Sequence, residues 1–396
     1  MSLSISFSGK TAALAAALVF VFGCATPGKL EVTSQGTSSS LATPSLTADR
    51  ALSNERLSFI SIFPLENLSG SAAPLKEIRE SLIQDLKNKG FRVLDEKLLE
   101  EFMARQRVRY VGGIDGANAQ ALGEETGVGA VLITSLELYD EKYPPKIALT
   151  ARLVSADDSP VILWMDSIGL SGDDSPGLLE LGLIEDPKEL LAKAPESLFG
   201  SLKPTLSQIQ DEGVAARQRR KFRPKYFFHS PVMDPEEKYV VAVLPFFNWS
   251  DRKYANEIMA LHFVRELSKL RNFRVLELGV IRQELLKFRI IMDDGISLDQ
   301  ANVILASLDA NLAFTGKVID YQDAQGPEGT PVVDFSLFVI GKKGLEVMWA
   351  SKSYNKGSDG VFFYDWGRVR TANAMASEMV RTVSAMMGSE FRKGKK

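Results

Sequence analysis

Phe59-Ile-Ser-Ile-Phe-Pro64-Leu-Glu-Asn67-Leu-Ser69 recurs later in the chain as Val240-Val-Ala-Val-Leu-Pro245-Phe-Phe-Asn248-Trp-Ser250. An offset of 181 lays Pro64 on Pro245, Asn67 on Asn248 and Ser69 on Ser250 together. Further matches follow in order. At 182, Phe91-Arg-Val-Leu94 meets Phe273-Arg-Val-Leu276; at 181 again, Ala130-Val-Leu-Ile-Thr134 meets Asn311-Leu-Ala-Phe-Thr315; at 185, Trp164 meets Trp349. Ordered matches at a nearly constant offset identify a tandem duplication.

Each repeat reads alike. An apolar run ends at Pro64 or Pro245 and passes into Asn-x-Ser turn chemistry, as a strand does when it enters a loop. Leu75, Ile78, Leu82 and Leu86, or Ile258, Leu261, Val264 and Leu267, fall at helical spacing and predict an amphipathic helix, which Gly90 ends in the first repeat. A strand at Phe91–Leu94 or Phe273–Leu276 follows. The next helix carries Leu98, Leu99 and Phe102, or Ile281, Leu285 and Phe288. A third helix leads to strands at Ala130–Leu138 and Leu312–Ile319. Hairpins at Ile147–Val154 with Val161–Trp164, and at Val332–Ile340 with Leu345–Trp349, close the units. The order β-α-β-α-α-β-β-β predicts an α/β protein, a mixed sheet with flanking helices, built twice. The domains are expected at 57–170 and 238–390, the second ending in a helix over Val369–Met387 with Ala372, Met375, Met379, Val383 and Met386 as its buried stripe. Residues 171–237 read as a linker, helical near Pro187–Ala194 and Thr205–Arg217 and basic beyond.

The strand ending in Pro with Asn-x-Ser, the Phe-Arg-Val-Leu strand and the Trp-terminated hairpin resemble the CsgG-like domain of the curli-secretion lipoproteins. That superfamily includes the N-terminal domain of TolB, lipoprotein activators of penicillin-binding proteins and flagellar outer-membrane lipoproteins. The resemblance covers roughly residues 57–170 and 238–356. It implies an anticodon-binding-like α/β fold, an envelope setting, and protein partners rather than chemistry. Pore-forming members need long amphipathic hairpins. Here the matching connections, Asp140–Lys146 and Tyr321–Pro331, are too short for membrane strands of ~9–11 residues, so no transmembrane barrel is expected.

The N-terminus supplies an address. One charge, Lys10, precedes an apolar run from Thr11 to Gly23, too short for a comfortable transmembrane helix and suited to an export signal over 1–23. Cys24, the only cysteine, follows at once. Val21-Phe22-Gly23-Cys24 resembles a bacterial lipobox, which implies acylation (palmitate included) of Cys24. Ala25 in the next place implies an outer-membrane anchor facing the periplasm. Residues 24–55 are rich in Ser, Thr, Gly, Pro and Ala and read as a flexible tether.

Chemistry is scarce. One Cys and two His in 396 residues fill no Cys/His zinc template, so neither metal nor cofactor is expected. Gly127-Val-Gly129 lacks the third glycine of a dinucleotide fingerprint and reads as a turn, as does Asp293-Asp294-Gly295. His262 lies at the edge of a helical apolar face and reads as a packed or capping histidine; His229, in a Pro-flanked loop, is expected to be exposed. No G-x-S-x-G elbow supports a triad. The most unusual segment carries Arg217, Arg219, Arg220, Lys221, Arg223 and Lys225 ahead of Tyr226-Phe-Phe228. Such mixtures bind anions. Export excludes nucleic acid, leaving anionic headgroups or glycans, against a solvated linker whose aromatics dock beside the second repeat's first strand. Asn67, Asn248, Trp249 and Lys253, in the loops after Pro64 and Pro245, are further contact candidates. The sequence therefore reads as a non-enzymatic envelope lipoprotein that binds other envelope proteins, with homo-oligomerisation possible. A ring-forming secretion component and a cell-wall hydrolase are the alternatives.

Overall fold

A computed structural model describes residues 56–174, 182–203, 220–231, 237–290, 296–326, 328–342, 344, 346–359, 361 and 367–393. The signal, Cys24, the tether, the helix expected over 205–217 and the turn at 293–295 lie outside them, as do Arg217 and Arg219. The described residues belong to one compact unit.

The first repeat runs β1 (Phe59–Ile62), β2 (Glu66–Asn67), α1 (Leu75–Asn88), β3 (Arg92–Val93), α2 (Glu96–Arg105), α3 (Gly116–Thr126), β4 (Ala130–Asp140), β5 (Lys146–Ser155), β6 (Ile162–Ser171) and α4 (Pro187–Leu198). Its sheet has the order β3-β1-β4-β5-β6, with β2 on β4. β1 is parallel to β3 and β4, and β4-β5-β6 is an antiparallel meander. The second repeat runs β7 (Tyr226–His229), β8 (Tyr239–Val243), β9 (Phe247–Asn248), α5 (Ala255–Ser268), β10 (Phe273–Val275), α6 (Leu278–Lys287), α7 (Leu298–Ser307), β11 (Leu312–Gln322), β12 (Val332–Gly341), β13 (Val347–Lys356) and α8 (Ala372–Lys393). Its sheet, β10-β8-β11-β12-β13 with β9 on β11, copies the first and gains β7 at the edge. Neither sheet closes on itself. Among the described residues no helix is long and apolar enough to cross a membrane.

The duplication extends to backbone details that side chains conceal. Asn67 accepts from Ser69 N at 3.0 Å and donates to Ser71 O at 2.8 Å; Asn248 accepts from Ser250 N at 3.1 Å and donates to Arg252 O at 2.8 Å. After α3 the chain turns through a left-handed residue, Gly127 with φ 77°; after α7 the same turn is made by Asp309 with φ 47°, a residue that tolerates this region better than most.

In one place the alignment shifts. Ile60 pairs with Ala130, and its counterpart Val241 pairs with Leu312, so β4 and β11 correspond at 182 rather than 181. Thr134 therefore answers to Gly316 and not to Thr315. A one-residue slip in a strand exchanges its two faces, so this correction decides which residues are compared below.

In each repeat two helices cover one sheet face and two others cover half of the opposite face. Ile78, Leu82 and Leu86 of α1 and Leu190, Ala194 and Leu198 of α4 pack on Leu132, Leu136, Leu149 and Leu153. In the second repeat Phe263 and Leu267 of α5, with Met375, Met379 and Val383 of α8, pack on Phe314, Phe335, Leu337 and Val339. The methionine stripe is thus core. α2 and α3, and likewise α6 and α7, bury the half of the outer face next to the parallel strands. The spacing rule misplaces two residues: Leu98 and Phe288 are exposed, because Leu99 with Phe102, and Ile281 with Leu285, already form the buried sides. Residues of the expected linker join both cores. α4 carries Phe199 against Trp164, and β7 pairs with β13, the second sheet's last hairpin strand, rather than docking beside β8. His229 is accordingly half-buried in a strand.

Candidate functional site

The outer half-face of each sheet left bare by its own helices is where the two repeats differ. In the first sheet this half-face is built by Glu66, Ser135, Glu137, Thr150, Arg152, Met165 and Ser167, paired across β2, β4, β5 and β6. Alternation along β5 makes Thr150 and Arg152 look solvent-facing, yet they are 2% and 1% exposed. The second repeat lies on them. Its α5 is buried on nearly all sides, between its own sheet and the first one.

The contact is polar and paired. Arg152 donates from Nη2 to Glu277 Oε1 at 2.9 Å, from Nε to Glu277 Oε2 at 3.0 Å, and to Gly112 O at 2.5 Å. Both ions are essentially inaccessible. Backbones come close here: a Cβ on Gly279 would lie 2.3 Å from Ile114 N. Glu137 accepts from Thr150 Oγ1 and from Asn373 Nδ2 of α8. Beside it, His262 of α5 places Nε2 3.8 Å from Glu137 Oε2 and Nδ1 3.2 Å from Ser377 Oγ. Arg265 binds Asp166 at 2.6 Å, Arg370 binds Asp173 at 3.2 Å, and Arg252 donates to the Glu137 carbonyl. Burial pushes the Glu137 carboxyl up to about 7. Burial, aided by the Arg265 charge, pushes His262 down to about 3. Between these two values, in mildly acidic solution, this pair is held without charge, as burial of ionisable groups favours. The histidine is packed, as its helical position implies, with a glutamate of the other repeat as its neighbour.

A cleft of about 290 Å³ opens at the rim of this seam, between Gly116, Asp158 and Ser159 on one side and Arg274 and Gln283 on the other. Among the described residues no three His, Cys, Asp or Glu side chains gather where they could hold a metal ion.

In the second sheet the same half-face is open. Thr315, Phe338, Ala350 and Phe228 form one cross-strand row; Phe247, Lys317, Ser336, Lys352 and Tyr226 form the next. Matched through the ladders, Phe338 stands where Arg152 does, Lys317 where Ser135 does, and Lys352 where Ser167 does. Tyr226 is 77% exposed, Trp249 64%, Phe228 54% and Phe338 41%. Contiguous exposed aromatics of this kind mark interaction surfaces in soluble domains. Lys317 Nζ sits 3.8 Å from the Trp249 ring centroid, a cation–π contact that fixes both side chains in the face. Lys352 pairs with Asp334 at 2.5 Å. Phe227, on the other side of β7, stacks on Trp349 at 5.5 Å and anchors the edge strand.

The structure brings part of the contact set read from the sequence to this face. Trp249 and the chain at Lys225–Tyr226 stand at its two ends, and Arg223 and Lys225 are exposed beside β7. Lys221 turns away, donating to Gly367 O at 2.8 Å. The backbone of Arg220 enters a short 3-10 turn, Arg220–Phe222. Asn67 and Asn248 commit their amides to the loops described above. Phe338, Lys317 and Lys352 belong to the face without having been marked by any motif; strand alternation alone signals them, whereas Phe228 ends the basic-aromatic segment.

No protein-family model and no curated protein matches the chain. Several solved structures are similar to parts of it. The PelC dodecamer from Paraburkholderia phytofirmans is 15% identical, covering 41% of this chain and 94% of its own, with a TM-score of 0.28. Lipoprotein GNA1162 from Neisseria meningitidis is 20% identical over 37% of this chain and 99% of its own, TM-score 0.26. The LpoB C-terminal domain from Salmonella enterica is 13% identical over 30% and 83%, TM-score 0.24. Both measures are low in every case.

Proposed function

We propose that the chain is an outer-membrane-anchored periplasmic lipoprotein that works without catalysis, by docking another envelope protein on the open half-face of its second sheet. One observation carries the docking role: the equivalent half-face of the first sheet is already a protein-binding surface, occupied inside the chain by α5 and α8. The second face has the same frame and a more aromatic lining, with Phe338 in place of Arg152. The address rests on the export signal, the lone Cys24 at its boundary and the tether that follows. A tether of 24–55 spans tens of ångströms at ~5–6 Å times the square root of its length, enough to let a folded module search for a partner. The CsgG-like resemblance agrees with this setting.

Intact mass and fractionation test the anchor. The mature native chain is expected to begin at Cys24, to carry acyl mass and to sediment with outer membranes. Cys24→Ala is expected to leave the protein folded and soluble in the periplasm, since acyl chains contribute ~0.8 kcal/mol per buried methylene to membrane attachment. An unmodified Cys24 on a soluble native protein would remove the lipoprotein reading.

A further inference from the structure

The second sheet is one strand longer than the first, and the extra strand sits at its edge. β7 has no counterpart beyond β6 and pairs antiparallel with β13, Tyr226 opposite Lys352, Phe228 opposite Ala350 and His229 opposite Trp349. It is firmly held. Ser230 N donates to Met348 O at 2.9 Å and Lys225 N to Lys352 O at 2.8 Å; just ahead of the strand, Asn355 Nδ2 donates to Lys221 O at 2.9 Å and Phe222 is buried in the core. The Ser230–Met348 bond sets the alternation of the ladder. Phe228 and Tyr226, two and four residues earlier, also turn their N–H and C=O groups toward β13, and Phe227 and His229 turn theirs outward. Among the described residues no strand and no backbone hydrogen bond takes these outward groups up. Two residues apart along one edge, they match the backbone of an added strand and not that of a helix.

Edge strands that must stay unpaired usually carry a proline or a charged side chain. From Tyr226 to His229 there is no proline, lysine, arginine or acid, and Tyr226, Phe228 and Phe227 are exposed aromatics. Resting on the docking reading above and giving it a mode, we propose that the partner adds an extended segment to the free edge of β7 as a further strand, apolar where it joins the open half-face and acidic beyond Tyr226. The register dictates that chemistry. A residue opposite Phe228 continues the cross-strand row of Thr315, Phe338, Ala350 and Phe228, where an apolar side chain packs against the ring. The residues on either side of it pair with Phe227 and His229 and receive the outward backbone groups. Past Tyr226 the segment meets Lys225, exposed at the start of β7, and a carboxylate there complements its charge. Main-chain hydrogen bonds then supply affinity and the alternate side chains supply specificity, as in other cases of strand addition. The added strand widens the open half-face without displacing anything that already holds the fold.

Phage-displayed random peptides of about 12 residues, selected on the full-length protein, supply the probe. The enriched sequences are expected to share an alternating apolar run with an acidic residue at one end, and the synthetic peptides should slow hydrogen exchange at the Phe227 and His229 amides by roughly tenfold or more. His229→Pro removes an outward N–H and no ladder bond, so it should weaken peptide binding by roughly tenfold. Lys225→Glu should weaken it by roughly fivefold, and a peptide with its acid replaced by lysine should recover the loss; this pair serves if the proline variant does not fold. Selection that enriches no peptide, or peptides that bind while Phe227 and His229 exchange as in the free protein, overturns strand addition. Protection of these amides without peptide, fading on dilution, overturns it too and assigns the edge to a second copy. Phe338→Ala separates this proposal from the docking reading. Peptides that ignore the β7 edge and are lost in Phe338→Ala leave docking on the open face standing; peptides indifferent to both remove both.

Discussion

Arg152→Met is expected to lower the unfolding free energy by roughly 3–5 kcal/mol, because it leaves Glu277 as an uncompensated charge in a site with no access to water. Among the described residues Arg152 is the one cation hydrogen-bonded to that carboxylate, and it also satisfies the Gly112 carbonyl. The loss should be local to the seam between repeats. Hydrogen exchange should accelerate first around Gly112–Ile114 and at the start of α6, where Glu277 accepts from Gly279 N. Removing both charges is a different matter. Arg152→Met with Glu277→Leu should recover most of the loss, since a well-packed apolar pair can replace a buried ion pair at little or no cost. Denaturant melts of the two single variants and the double variant check this. Equal destabilisation in the double and the single would show that shape, rather than charge, holds the seam.

Glu137 and His262 give the second large effect, in pH dependence. Glu137 has its folded value raised from 4.5 to about 7 by burial, so its contribution is fully present below the unfolded value and is lost as pH rises through about 7. His262 has its folded value lowered from 6.5 to about 3, again by burial first, so its contribution is present above 6.5 and is lost as pH falls toward 3. Between about pH 4.5 and 6.5 the two slopes oppose, and wild-type stability should change little. Substitution separates them. Glu137→Gln, which keeps an acceptor for Thr150 and removes the ionisation, should gain on wild type by about 2–3 kcal/mol between pH 5 and 8.5, at ~1.4 kcal/mol per pH unit of displaced titration. His262→Gln should tilt the opposite way, gaining on wild type as pH falls. The groups facing this pair, Thr150, Asn373, Ser377, Arg265 and Arg252, are unchanged in both variants. Parallel pH profiles for wild type and Glu137→Gln would show that this carboxyl does not titrate in the range.

Much of this fold was legible in the sequence, because the duplication gave most elements two witnesses, β7 being an exception. Pro64 with Pro245 and Asn67 with Asn248 marked the ends of the first strands, and the short β4–β5 and β11–β12 connections matched a sheet without membrane hairpins; Trp164 and Trp349, read as closing their hairpins, instead stand near the starts of β6 and β13, which run on to Ser171 and Lys356. The misreadings have physical causes. Thr134 and Thr315 look like a match by identity, yet pairing with β1 and β8 puts them on opposite faces. Leu98 and Phe288 satisfy helical spacing, but spacing admits two neighbouring sides of a helix and packing chooses one. The seam was hidden for a different reason. Arg152 and Thr150 alternate with apolar residues as if facing water, and what covers them is the other repeat, whose Glu277 and Asn373 no local pattern connects to them. The open face was equally dispersed, since its rows draw single residues from β9, β11, β12, β13 and β7. Only Trp249, Lys225 and their neighbours drew notice in the linear sequence, through composition.

Site-specific photocrosslinking in living cells tests the central claim, with a benzophenone amino acid placed at Phe338 of the otherwise native protein. Discrete protein adducts are expected from Phe338, and none from a control at exposed Leu98 on the other half of the molecule. A Phe338 position as silent as Leu98, in protein that is folded, would contradict the account.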